Sequence, residues 1–212
     1  MKCITKTLIS ISILLMTNIS SSIMAKAMDD AYIQTNLTNT QSKNMADYKQ
    51  LVPIILKYEG GYAANIDGKT CTMKGITLAT FRQYLGKQKT CKELRGISNA
   101  EWEYIFKEGY WDRWKADSIN NQSIANLLVD WTFNSGIYGI KYPQRVLGVK
   151  DDGIVGEKTL SAINNHPNQE ELFNKLWNRR KKHYEDIVKS NPSKKKFING
   201  WLKRLSAFKY SK

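Results

Sequence analysis

Apolar residues recur at helical spacing along nearly the whole chain, and a single window, Ala63 to Thr77, gathers β-formers around a turn signal. That contrast constrains the fold most: a mainly α protein with one small β-hairpin is expected, and sheet-built architectures are excluded. Ahead of the window, Leu51, Ile54, Ile55 and Tyr58 lie at i, i+3, i+4 and i+7, one helix face interrupted by Pro53 and ended by Glu59-Gly60-Gly61-Tyr62. Inside it, Asp67-Gly68 marks the turn, and Thr70, Thr72, Ile76 and Thr77 are strand formers.

Beyond the window, Thr77 caps a helix over Leu78 to Leu85 that Gly86 stops, and Ser98 with Glu101 forms a capping box ahead of Trp102, Ile105 and Phe106. Ile124, Leu127, Leu128 and Trp131 line a further helix that stops near Asn134-Ser135-Gly136. A short helix disturbed by Pro143 follows, then a turn at Asp151-Asp152-Gly153 and another short helix from Gly156 to Ile163. Asn168 and Glu171 open a long helix, and Phe197, Trp201, Leu202 and Leu205 mark a last amphipathic one.

The first residues read as an export leader over 1–27: basic Lys2 and Lys6, an apolar core from Leu8 to Met16 too short to span a bilayer, and the small-x-small site Ala25-Lys26-Ala27. Residues 28–46, polar at first and without periodicity, read as a linker. The product is expected outside the cytoplasm, periplasmic or secreted, with no stable membrane insertion after cleavage. There, Cys71 and Cys91 are an even pair in an oxidising compartment: a bridge worth about 3 kcal/mol is the first reading, two buried thiols the second. The formal charge is +14, and Lys2, Lys6 and Lys26 leave with the leader. A basic exported protein suits an anionic wall or membrane surface better than nucleic acid. The runs Arg179-Arg180-Lys181-Lys182 and Lys194-Lys195-Lys196 read as solvated helix faces.

The chemistry centres on Glu59. Backbone carbonyls at a helix end carry partial negative charge, and a carboxyl held there in partly dry surroundings keeps its proton more readily. Such a group suits protonation of the leaving oxygen of a glycosidic bond. Asp67 on the hairpin turn and Thr72 on the returning strand could supply the second polar group, holding water or stabilising positive charge at the sugar carbon. The plain alternatives are a surface Glu at a glycine cap and an ordinary turn Asp. Tyr62, Trp111, Trp114, Trp131, Tyr138 and Tyr142 could face sugar rings; Trp131 reads as core and Tyr62 as the cleft residue.

Glu59-Gly60-Gly61-Tyr62, Asp67, Thr72 and Gly75-Ile76-Thr77-Leu78 resemble the N-terminal signature of glycoside hydrolase family 108, lysozyme-like N-acetylmuramidases. The resemblance continues through Tyr110-Trp111, Asp130 and Asn134-Ser135-Gly136. It then runs into Gln144-Arg145-Val146-Leu147-Gly148 and Asp152-Gly153-Ile154-Val155-Gly156, similar to the peptidoglycan-binding domain that follows in that family. It implies a lysozyme-like catalytic domain over 47–136 and a helical peptidoglycan-binding domain over 137–210 packed on it. Glu59, Asp67 and Thr72 become the expected catalytic residues, and Tyr62, Thr77 and Asn134 the expected substrate contacts. Peptidoglycan glycan strands are the implied substrate, cut between N-acetylmuramic acid and N-acetylglucosamine by a monomer without metal or organic cofactor. A lytic transglycosylase using the same Glu and a non-catalytic wall-binding protein are the alternatives. An immunity protein or a secreted cargo would be the partner if the activity serves attack or secretion.

Overall fold

The computed structural model describes residues 26–31, 45–64 and 70–212. Asp67 and its turn, and the leader up to residue 25, lie outside the described residues. The chain divides into two compact units, Met1–Asn44 and Met45–Lys212. In the first, residues 26–31 form an exposed helical stretch, α1, across the expected junction of leader and linker. Among the described residues, no helix is long and apolar enough to cross a membrane.

The second unit is mainly α with one small sheet. Its helices are α2 (Tyr48–Tyr58), α3 (Leu78–Leu85), α4 (Cys91–Arg95), α5 (Asn99–Phe106), α6 (Gln122–Ser135), α7 (Tyr138–Val146), α8 (Glu157–Asn164), α9 (Gln169–Ser190) and α10 (Ile198–Leu205). Pro53 sits inside α2 without ending it. At the centre, α6 is buried nearly all round: Ile124, Ala125, Leu127, Leu128, Val129 and Trp131 have no exposed surface, and the polar Asp130 and Thr132 are buried among them. Leu51 and Ile55 of α2, Ile105 and Phe106 of α5, Leu172 and Leu176 of α9, and Leu205 of α10 belong to the same core. Gly139 lets α7 lie close on α6, because a Cβ there would fall 2.4 Å from the Thr132 amide nitrogen.

Several helix starts carry the side-chain caps that orphan N–H groups call for, whereas α7, α8 and α10 have none. Thr77 accepts from Thr80 N–H, Ser98 and Glu101 form the reciprocal box, and Asn168 accepts from Glu171 N–H. The run at 179–182 departs from the expected solvated face. Arg180 is fully buried, whereas Lys181 is half-buried and Lys182 exposed, paired with Glu185 and Asp186.

The expected hairpin is a three-stranded antiparallel sheet, β1 (Ala63–Ala64), β2 (Cys71–Met73) and β3 (Ile76–Thr77), in that order. The added strand arises because Lys74 and Gly75, both at positive φ (47° and 78°), make a two-residue turn that folds β3 back onto β2. Such turns match the natural strand twist and demand left-handed residues at both positions. Cys71 and Cys91 are bridged, tying β2 to the start of α4.

Candidate active site

Glu59 ends α2. Its backbone leaves the helix (φ −85°, ψ 137°) while its N–H still donates to Ile55 C=O at 3.0 Å. The next carbonyl, Gly60, accepts from Lys74 N–H at 3.2 Å, and Trp102 Nε1 donates to Lys74 C=O at 2.9 Å. These two bonds clamp the β2–β3 turn against the helix end. Gly75 then passes so close that a Cβ would lie 2.7 Å from Glu59 Oε2 and 2.5 Å from a ring carbon of Phe133. Gly60 and Gly61, by contrast, have open space around them and no left-handed backbone.

On its other side, Glu59 Oε1 accepts from Arg204 Nη1 of α10. The Arg204 side chain also grips Asp130 of α6, with Nε 3.0 Å and Nη2 2.6 Å from Oδ1. Arg180 Nη2 of α9 donates to Asp130 Oδ2 at 2.6 Å, and its Nε donates to the Tyr184 hydroxyl at 2.8 Å. That hydroxyl donates to Asn134 Oδ1 at 3.0 Å. Burial works against the Asp130 charge, yet the Arg180 and Arg204 guanidiniums outweigh it and hold the carboxyl below its usual range. For Arg204, burial pulls the other way, but Asp130 and then Glu59 raise its proton affinity further. A fully buried charge needs such pairing, and removing one partner of a buried pair costs about 3–5 kcal/mol. Along this chain of groups Asp130 and Arg180 are fully buried, and accessibility returns at its two ends, at Asn134, which is exposed, and at Glu59, whose side chain is 16% accessible.

Glu59 opens into a groove of about 540 Å3 walled by Tyr58, Asn134, Phe197, Trp201 and Lys203. Phe197 and Trp201 stack with ring centres 5.9 Å apart, and Lys57 and Lys196 stand at the rim. Of the expected site residues, Asn134 therefore stands beside Glu59. Thr72 and Thr77 face each other across β2 and β3 and line a separate groove of about 510 Å3 with Ala63, Thr70 and Arg82. Thr77 is also occupied as the α3 cap. Tyr62 is half-buried under the Arg95 guanidinium, 5.3 Å from its ring centre, and lines neither groove. Trp111, Trp114 and Trp131 are buried, so they pack rather than face sugar. Tyr138 is exposed and stacks on Tyr142, which lies 3.7 Å beneath the Arg179 guanidinium.

Three side chains at the candidate site escaped sequence reasoning: Arg204, Arg180 and Trp201 as a groove wall. A signal for Arg180, and for its partner Asp130, exists. Arg180 falls on the apolar stripe Leu172, Leu176, Tyr184, four residues from each neighbour, and Asp130 interrupts Leu127-Leu128-Val129 and Trp131. Opposite charges embedded in apolar faces are almost never buried unless paired.

A helical core around one central helix, a small sheet folded over a helix-end carboxyl, and an aromatic, basic groove at that carboxyl define a lysozyme-like glycoside hydrolase. Residues 52–136 match the family model described as Glycosyl hydrolase 108, and residues 138–206 match the Predicted Peptidoglycan domain. The chain thus carries a Glycosyl hydrolase 108 domain followed by a peptidoglycan domain, and is a glycoside hydrolase that acts on peptidoglycan. Among solved structures it is similar to SagA of Brucella abortus, with 26% identity and a TM-score of 0.65 over 76% of this chain and 90% of that one. No curated protein matches it.

Proposed function

We propose that the protein is an exported N-acetylmuramidase that hydrolyses the β-1,4 bond between N-acetylmuramic acid and N-acetylglucosamine, with Glu59 as general acid. The observation that carries this reading is the Glu59 carboxyl itself. It is fixed between Arg204 and Gly75 and is a partly accessible end of a buried polar chain, at the foot of a groove with a stacked aromatic wall. Glu59 gives its proton to the bridging oxygen as the C1–O bond breaks, and water adds to the sugar carbon, where positive charge has developed. The water's own proton passes to a carboxylate. The family resemblance assigns the water side to Asp67 and Thr72, and substrate contact to Tyr62, Thr77 and Asn134; of these Asn134 lines the Glu59 groove, Thr72 and Thr77 line the separate one, and Tyr62 lines neither.

Phe197 and Trp201 offer apolar faces to pyranose rings, and Lys57, Lys196 and Lys203 meet the carboxylates of peptide stems. The basic surface favours encounter with an anionic wall. Export rests on the leader-like residues 1–27. The test compares wild type and Glu59→Gln on purified peptidoglycan by turbidity and by mass spectrometry of the released fragments. A general acid contributes about 10²–10⁴-fold, so the variant should lose at least about a hundredfold in rate while still sedimenting with sacculi. Full activity in Glu59→Gln refutes the assignment, and 1,6-anhydro ends would make the enzyme a transglycosylase instead.

A further inference from the structure

We propose that Arg204 is a positioning residue for the catalytic step, holding Glu59 Oε1 so that the transferable proton sits on Oε2, the oxygen beside Gly75. The proposal rests on the reading of Glu59 as the acid. A guanidinium has only donors, so the oxygen it touches is an acceptor there, and a proton on the carboxyl belongs to the other one. Gly75, lacking a side chain, leaves space at Oε2 that a Cβ would fill. Proton transfer requires that oxygen within hydrogen-bond reach of the leaving group, and a displacement of about 1 Å can cost about 10²-fold.

The geometry of the anchor suits positioning. Arg204 commits Nε and Nη2 to Asp130, which fixes the guanidinium plane and leaves Nη1 aimed at Oε1. Asp130 is in turn held by Arg180, and Arg180 by Tyr184, so the position of Glu59 is set through α6, α9 and α10 rather than by its own helix alone. Lysine cannot copy this, because a point charge on a flexible stem does not span two carboxylates as a planar fork does. Arg204 also lies within residues 138–206, the stretch that matches the peptidoglycan domain, whereas Glu59 lies within 52–136. The C-terminal domain thereby takes part in catalysis as well as in holding the wall.

The test uses the full chain with Arg204→Lys, Arg204→Ala, Glu59→Gln and the Glu59→Gln/Arg204→Lys double variant. Initial rates over a range of soluble glycan-chain concentrations separate kcat from KM, and thermal unfolding is followed in parallel. Arg204→Lys should fold and keep its KM while kcat falls about 10²-fold. Arg204→Ala should fall further and regain turnover when guanidinium is added, which a purely structural role would not show. In the Glu59→Gln background Arg204→Lys should have no further effect, because residues acting as a unit are not additive. Wild-type kcat in Arg204→Lys, a loss confined to KM, or an undiminished loss in the double variant overturns the proposal. Should Arg204→Ala not fold, Arg204→Lys and the double variant decide alone, since they keep a cation beside Asp130. Full activity in Glu59→Gln would instead remove the general-acid reading, while an inactive Glu59→Gln beside a fully active Arg204→Lys removes only the positioning role.

Discussion

Replacing Gly75 by alanine should damage both stability and turnover, although it adds a single methyl group. Two costs are readable from the structure. The backbone stands at φ +78°, in the left-handed region, which charges an L side chain roughly 1–2 kcal/mol. The new Cβ would also lie 2.5 and 2.7 Å from two ring atoms of Phe133 and 2.7 Å from Glu59 Oε2. Neither neighbour yields freely: the Phe133 ring packs 4.7 Å from Tyr110 and 5.9 Å from Phe106, and Arg204 holds the Glu59 carboxyl. Forcing an extra methyl into such packing typically costs about 1–3 kcal/mol. Together these give a loss of about 2–5 kcal/mol by urea unfolding, followed by tryptophan fluorescence. Peptidoglycan-clearing rates, measured where the variant is fully folded, should drop about 10²-fold as Oε2 is pushed aside. Gly60→Ala and Gly61→Ala are the controls, with open surroundings and ordinary φ, and should change stability by no more than about 1 kcal/mol. A Gly75→Ala loss below about 1 kcal/mol with unchanged clearing, or equal damage from Gly60→Ala, would refute the reasoning.

Two further expectations concern the frame around the site. Replacing Cys71 and Cys91 by serine removes a cross-link across 20 residues and should lower unfolding free energy by about 3 kcal/mol, measured with and without reductant. His183 is held neutral down to about 4, first by burial and then by Arg179 and Arg180, against about 6.5 in the unfolded chain. The unfolded state therefore binds more protons between those values, so the contribution is complete above about pH 6.5 and is lost as pH falls towards 4. Part of the ring environment is wet, which reduces the full shift to about 1–3 kcal/mol. Denaturant melts across pH 4–7 should show that decline in wild type and a flatter profile in His183→Gln.

The local grammar of the fold was legible because it is written in neighbouring residues. Thr77, Ser98 with Glu101, and Asn168 announce helix starts through bonds that span three positions. Glu59 was legible for the same reason, as the last residue of an apolar helix. The β2–β3 turn was not, because Lys74 carries no β-turn preference and only the structure shows it at φ 47° beside Gly75. The glycine pair that draws the eye, Gly60-Gly61, makes no steric demand, while Gly75 carries the close approach. The partner of Glu59 was hidden for a different reason. Arg204 is 145 residues away, and no periodicity links a helix end to a residue on another helix that far along the chain. What the sequence did expose was the anomaly of Arg180 and Asp130 on apolar faces, a mark of pairing that does not name the pair.

That separation has a consequence in time. A chain emerging at roughly 5–20 residues per second needs about 7–30 s to pass from Glu59 to Arg204, and contacts this distant close only after the loop between them is organised. The nascent chain can cap its helices and fold back its strands while Oε1 of Glu59 still lacks its donor. The Glu59–Arg204 contact is thus among the last features to form, so a partly made chain carries the carboxyl without the groups that hold it in the finished fold.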